Sequence, residues 1–180
     1  RARLRQHPAI AGPLTVGVLR PRILLPRGAT AWSTETAEAI LRHELAHVKR
    51  GDNLINLLGA WMVAWQWFNP LAWWVLHRYR REAELACDDA VLLGGLRPSA
   101  YARALMAYAQ LAPRNRLFHV APAFPFASHA GRRVRALLDP RTARRPPARP
   151  VTWLTAAVLL MTAMPATSLR PTVQAGANDP

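Results

Sequence analysis

Apolar positions in this chain repeat mostly at helical spacing, in blocks that alternate with stretches dense in arginine. Between positions 34 and 50, Ala37, Leu41, Leu45 and Val48 fall on one stripe with Ile40 at its margin, which predicts a helix packing through that stripe. Ser33 suits its N-cap, Glu35 meets the positive end of the helix dipole, and Gly51-Asp52 offers a stop. Residues 54–76 carry no formal charge and are interrupted by Asn69-Pro70, where proline disfavours helix in the residue before it. The pattern predicts a helical hairpin over 53–77, with arms of about 24 Å and about 21 Å. Residues 98–111 read as another amphipathic helix, with Tyr101, Leu105 and Tyr108 packing. Only 14–26 looks extended, as two short strands or an edge around Arg20-Pro21. The expected fold is mainly α with a short β-hairpin or edge strand.

One stretch of the first helix carries chemistry. His43-Glu44-Leu45-Ala46-His47 places two imidazoles one turn apart on one helix face, roughly opposite the apolar stripe, the spacing by which a helix offers two ligands to zinc. Glu44 lies beside them, where a carboxylate takes a proton from the attacking water rather than binding metal. Catalytic zinc sites use three protein ligands and leave one position open. Downstream, Glu84 and Asp88 stand one helical turn apart, and hairpin arms of nearly equal length return Glu84 to the level of His47. Glu84 is therefore the expected third ligand, and Asp88 the acceptor for the free ring nitrogen of a ligating histidine. Glu82, Glu84, Asp88 and Asp89 are four of the ten acids of the chain, so the competing reading is a solvated acidic helix end paired with Arg78, Arg80 and Arg81. Cys87, three residues after Glu84, would compete with it for the same metal and is read as a small buried packing residue. His7, His77, His119 and His129 are read as surface histidines, the last two in a loop.

Charge and composition add a membrane to this picture. The 180 residues suffice for one domain, 51% are hydrophobic, and yet the net charge is +14, with Lys49 the only basic residue that is not arginine. Residues 150–169 are uncharged between Arg149 and Arg170, the length of one membrane span. The arginines of 132–149 then mark the cytoplasmic side and 170–180 an external tail. The basic stretch 119–149 is expected to be a loop or linker meeting anionic lipid headgroups, with no direct contact to nucleic acid. Basic flanks on both sides of 54–76 favour a hairpin that dips into the bilayer and returns, with Trp61, Trp65, Trp67, Trp73 and Trp74 at interfacial depth; the alternative is a helix pair in the protein core. A single cysteine excludes an internal disulfide, and the chain shows neither an internal repeat nor a phosphate-cradling glycine motif.

Taken together, four ordered stretches resemble the peptidase domain of the BlaR/MecR family of bacterial membrane proteins, which sense beta-lactams and inactivate a transcriptional repressor. They are Gly17 to Pro26, His43 to His47 continuing through Arg50 and Asp52, Trp67-Phe68-Asn69-Pro70-Leu71 with Trp73, and Arg81 through Cys87-Asp88. The resemblance implies a gluzincin-like peptidase domain over 1–118, with one zinc held by His43, His47 and Glu84 and with Glu44 as base. It also implies a site facing the cytoplasm at the bacterial inner membrane, and cleavage of a repressor, or of the chain itself, in response to a signal. In zinc peptidases of this kind an edge strand beside the metal helix pairs with the substrate backbone, which makes 14–26 a candidate docking edge. The chain starts at Arg1 and is expected to be a piece of a longer protein. Two other readings use the same ligands: a constitutive quality-control zinc protease, and a non-catalytic module in which zinc only stabilises a signal relay.

Overall fold

A computed structural model describes residues 2–10, 12–111 and 126–139. The 150–169 span, the 170–180 tail and His119 lie outside the described residues. The fold is mainly helical with one small sheet. Strand β1 (Arg3–Gln6) pairs in parallel with β3 (Arg22–Leu25), and β2 (Leu14–Val16) pairs antiparallel on the other side of β3. The two strands expected within 14–26 are present. β1 is an addition, in a segment whose side chains are all exposed and therefore show no alternation.

Helix α1 (Thr34–Arg50) starts where Ser33 accepts a hydrogen bond from the Thr36 amide at 3.2 Å. It ends at Gly51, whose φ of 73° is left-handed and suits glycine. Helix α2 (Asp52–Trp65) begins on the next residue, so this joint turns Asp52 back toward the last turn of α1. Helix α3 (Pro70–Leu93) follows, with Asn69 capping the Leu71 amide at 3.0 Å and Pro70 in the first turn, where its missing N–H costs nothing. α2 and α3 pack through Met62, Val63, Ala72, Val75, Leu76, Tyr79 and Ala83. They approach so closely at Gly59 that a Cβ there would lie 2.6 Å from Leu76 Cδ1. The five tryptophans of the hairpin stay outside this core, each between 52% and 71% exposed. Among the described residues, no helix is long and apolar enough to cross a membrane.

Helix α4 (Pro98–Leu111) and helix α5 (Phe126–Leu138) complete the described fold. α5 differs from expectation, because the stretch 119–149, read as a basic linker with His129 in a loop, carries this helix. Val134 and Leu137 of α5 pack with Ala39, Val91, Tyr101, Ala104 and Leu105 in a second core cluster. The basic composition of the stretch hid an apolar stripe at helical spacing.

The orientation of α1 also differs. Its buried residues are Ala39, Ile40, His43, Glu44 and Ala46, whereas Leu45 is 40% exposed and Ala37, Leu41 and Val48 are only partly covered. Periodicity registers the apolarity of a side chain but not whether a polar one has a partner. β2, α3, α4 and α5 bring hydroxyls, carboxylates and a guanidinium to the histidine face, so that this face is the one buried.

Candidate metal centre and active site

α1 supplies His43 and His47, and α3 crosses it with Glu84 and Asp88. The Nε2 atoms of His43 and His47 are 3.2 Å apart. Glu84 spans both, with Oε2 3.5 Å from His43 Nε2 and Oε1 3.5 Å from His47 Nε2. Ligands at ordinary zinc distances on a tetrahedron are separated by about 3.3 Å, so the three donors fit one metal ion with little rearrangement. Glu84 Oε2 is buried and makes no hydrogen bond of normal geometry among the described residues, its shortest contact being the ion pair with Arg133 Nη1 at 3.0 Å. The donor set of two imidazoles and one carboxylate also matches zinc chemistry.

The Nδ1 atoms face away from this triangle, and each has its own partners. His47 Nδ1 is 2.7 Å from Asp52 Oδ2. Asp52 is almost wholly buried and also accepts from Tyr79 Oη at 2.7 Å and Arg50 Nε at 3.1 Å. His43 Nδ1 lies 3.0 Å from Tyr101 Oη and 3.2 Å from Asp88 Oδ1, while the Tyr101 hydroxyl donates to Asp88 at 2.6 Å. Carboxylates on both Nδ1 atoms favour the tautomer whose Nε2 lone pair points at the metal position. Cys87 is fully buried with Sγ 3.3 Å from His47 Nδ1, on the side away from the three-donor triangle. Together with His47 and Asp52 it forms a second cluster of ligand-type atoms, but Asp52 is already hydrogen-bonded there and burial pushes the thiol up to about 11.

In the metal-free site, burial works against protonated imidazoles, as does Arg133 near His43. Hydrogen bonds to Asp88 and Glu84 for His43, and to Asp52, Cys87 and Glu84 for His47, outweigh this and raise both rings above their ordinary range. Burial alone would raise the Glu84 carboxyl, but the two histidines and Arg133 hold it well below the usual carboxylate range. The cluster thus attracts positive charge, which protons or a metal ion can supply.

Glu44 is buried, and its Oε2 accepts from Thr15 Oγ1 at 2.8 Å. Thr15 belongs to β2, so the sheet lies against the motif helix at Glu44. Arg133 reaches in from α5, with Nη1 3.0 Å from Glu84 Oε2 and a two-point grip on Asp88 from Nε at 2.8 Å and Nη2 at 2.5 Å.

The structure thus brings His43, His47, Glu84 and Asp88 together, with Glu44 buried on the same helix. Five residues escaped the sequence reading. Asp52 reads from the sequence as a helix stop and as part of the stretch that carries the resemblance, with no role at the site, although its position five residues after His47 across a glycine joint is a usable signal. Tyr101 reads as a packing residue, and its ring is indeed in the core while its hydroxyl enters the site. Thr15, Tyr79 and Arg133 gave no signal; Arg133 in particular was one arginine in a basic run expected to meet lipid.

No solved structure matches the chain. It is 42% identical over 89 residues to the regulatory protein BlaR1 of Bacillus licheniformis, a match covering 49% of this chain and 15% of that relative. The family described as BlaR1 peptidase M56 matches residues 1–137, which takes in both strands flanking β3, the three-donor triangle and α5 through Leu137. A family match over three quarters of the chain, on a fold that gathers its peptidase-type residues into one site, leads to one conclusion: the chain belongs to the BlaR1 peptidase M56 family.

Proposed function

We propose that this chain is the catalytic domain of a membrane-bound zinc endopeptidase of gluzincin type. The observation that carries the reading is the triangle of His43 Nε2, His47 Nε2 and Glu84, with separations of 3.2 to 3.5 Å and carboxylates behind both Nδ1 atoms. When bound, zinc would supply Lewis-acid chemistry, polarising a peptide carbonyl and acidifying water at neutral pH.

The residues of the chain have separable tasks. His43, His47 and Glu84 hold the ion. Asp52 keeps the His47 proton on Nδ1, and Tyr101 with Asp88 does the same for His43. Glu44 accepts a proton from the attacking water and returns it to the leaving amine. The Thr15 hydroxyl orients that carboxylate from Oε2. A structural zinc site has no use for such a base, which favours catalysis over a relay module.

Membrane attachment is part of the proposal. The exposed tryptophans of the α2–α3 hairpin, with Leu57, Phe68 and Leu71 also exposed, suit partial immersion in a lipid interface. Residues 150–169 would then anchor the chain, with the site on the cytoplasmic side. Similarity to a regulatory protein supports a signal-responsive role, with a repressor or the chain itself as substrate.

Glu44→Gln tests the catalytic assignment. The variant is expected to bind metal as the wild type does and to lose cleavage of an unfolded protein substrate. Retained, chelator-sensitive proteolysis in a clean preparation would remove Glu44 as the base.

A further inference from the structure

Arg133 is a cation inserted between two acids of the site, Glu84 and Asp88, and it comes from the helix at the far end of the described chain. Its guanidinium bridges two carboxylates with different tasks. Nη1 meets Oε2 of Glu84, the proposed ligand, at 3.0 Å, while Nε and Nη2 grip both oxygens of Asp88, which stands behind His43. Nη2 also lies 3.3 Å from Tyr101 Oη and 3.5 Å from His43 Nε2. The Arg133 side chain is 4% exposed, so these contacts replace its hydration almost entirely.

Two opposite effects on a metal follow from this placement. A positive charge this close repels a dication. The same charge, however, is matched by Asp88 in a forked pair, so the Arg133–Asp88 unit is close to neutral as seen from the metal position. What remains is positional. Glu84 is 28% exposed on a flexible stem and contacts the histidines only at 3.5 Å. Arg133 is its shortest contact, an ion pair without hydrogen-bond geometry that draws Oε2 to the position where the carboxylate lies across both Nε2 atoms. Removing that contact frees a ligand that must be re-ordered at every binding event, and leaves Asp88 as a buried charge with less compensation.

We infer that Arg133 is a positioning residue for the metal site and that, through it, the seating of α5 and the binding of metal reinforce each other. The inference rests on the zinc reading above. Among the described side chains, α5 also packs through Val134 and Leu137 against Tyr101, Ala104 and Leu105, and Arg133 links it to the ligands. By reciprocity, a metal that is bound more tightly when α5 is seated must also hold α5 more firmly when bound.

The test uses the whole 180-residue chain and zinc alone. Zinc affinity is measured by competition with a chromophoric chelator for wild type, Arg133→Lys and Arg133→Met, and hydrogen exchange of the α5 amides is followed in the wild type with and without zinc. Arg133→Met is expected to bind zinc 10- to 100-fold more weakly, the range for loss of a partner that orients a ligand. Arg133→Lys, which keeps the charge but not the fork, should fall between. Zinc should slow exchange in wild-type α5. Unchanged or tighter zinc binding by folded Arg133→Met overturns the inference, because a purely structural arginine would lower stability and leave affinity alone. If Arg133→Met does not fold, the exchange measurement decides: α5 amides indifferent to bound zinc would overturn it. A folded wild type that binds no zinc removes the metal reading itself and this inference with it, whereas zinc bound without any α5 response removes this inference alone.

Discussion

Asp52→Asn should separate the geometry of the site from its charge. The substitution keeps the shape of the side chain while replacing one acceptor oxygen with a donor. In the wild type, Oδ2 accepts from His47 Nδ1 and Oδ1 accepts from Tyr79 Oη, both at 2.7 Å. An amide can accept at only one of these positions. If its NH2 faces His47, the imidazole meets it with a bare Nδ1 and carries its proton on Nε2, the nitrogen needed by the metal. Metal binding therefore selects the opposite orientation, in which the amide N–H faces Tyr79 and removes the acceptor its hydroxyl has in Asp52. The expected loss is 10- to 100-fold in zinc affinity, about 1.4 to 2.7 kcal/mol. Chelator competition at pH 7.5 reads it directly, with circular dichroism confirming that the variant is folded. Wild-type zinc affinity in a folded Asp52→Asn would refute the claim that Asp52 sets the His47 tautomer.

Other expectations concern single groups. Cys87 is fully buried and its thiol is pushed up to about 11, by burial first and by Asp52 and Glu84 nearby, against the opposing effect of His47. Iodoacetamide at pH 8 should leave it unmodified in the folded chain and alkylate it once guanidinium unfolds the protein, as read by mass spectrometry; rapid labelling of the native chain would contradict this packing. Burial alone would raise the Asp88 carboxyl, but Arg133 and His43 bring it down to about 2, below its value of 3.8 when unperturbed. A folded value below the unfolded one means that this stabilisation is present above about pH 4 and is lost as the pH falls toward 2. With metal removed, the denaturation midpoint should drop across that window, and Asp88→Asn should flatten the drop; identical profiles for the two proteins would show that Asp88 is not responsible.

The sequence announced those parts of the site that obey short-range rules. His43, Glu44 and His47 follow from helical periodicity, and Glu84 from two hairpin arms of similar length. The Ser33 cap, the Gly51 joint and the break at Asn69-Pro70 follow from the local chemistry of chain turning. What escaped was set by tertiary contact. Leu45 faces outward and Glu44 inward because Thr15, nearly thirty residues away in the sequence, supplies a hydroxyl at 2.8 Å. Arg133 lies 90 residues from His43, and nothing in an arginine-rich run distinguishes it, buried, from the exposed Arg135 two positions on. The parallel pairing of β1 with β3 is equally non-local, and an all-exposed strand carries no alternation to betray it. The tryptophans are a further case, because hydropathy does not separate them from their apolar neighbours and only the packing of Met62, Val75 and Tyr79 leaves them on the outside of the hairpin.

The central claim is that His43, His47 and Glu84 hold one metal ion. Metal content per chain of the purified protein, wild type beside Glu84→Ala, tests it most directly. One zinc per folded wild-type chain, largely lost in a folded Glu84→Ala, is the predicted result. A folded wild type without zinc after equilibration with the ion, or a Glu84→Ala that retains it in full, would contradict the account.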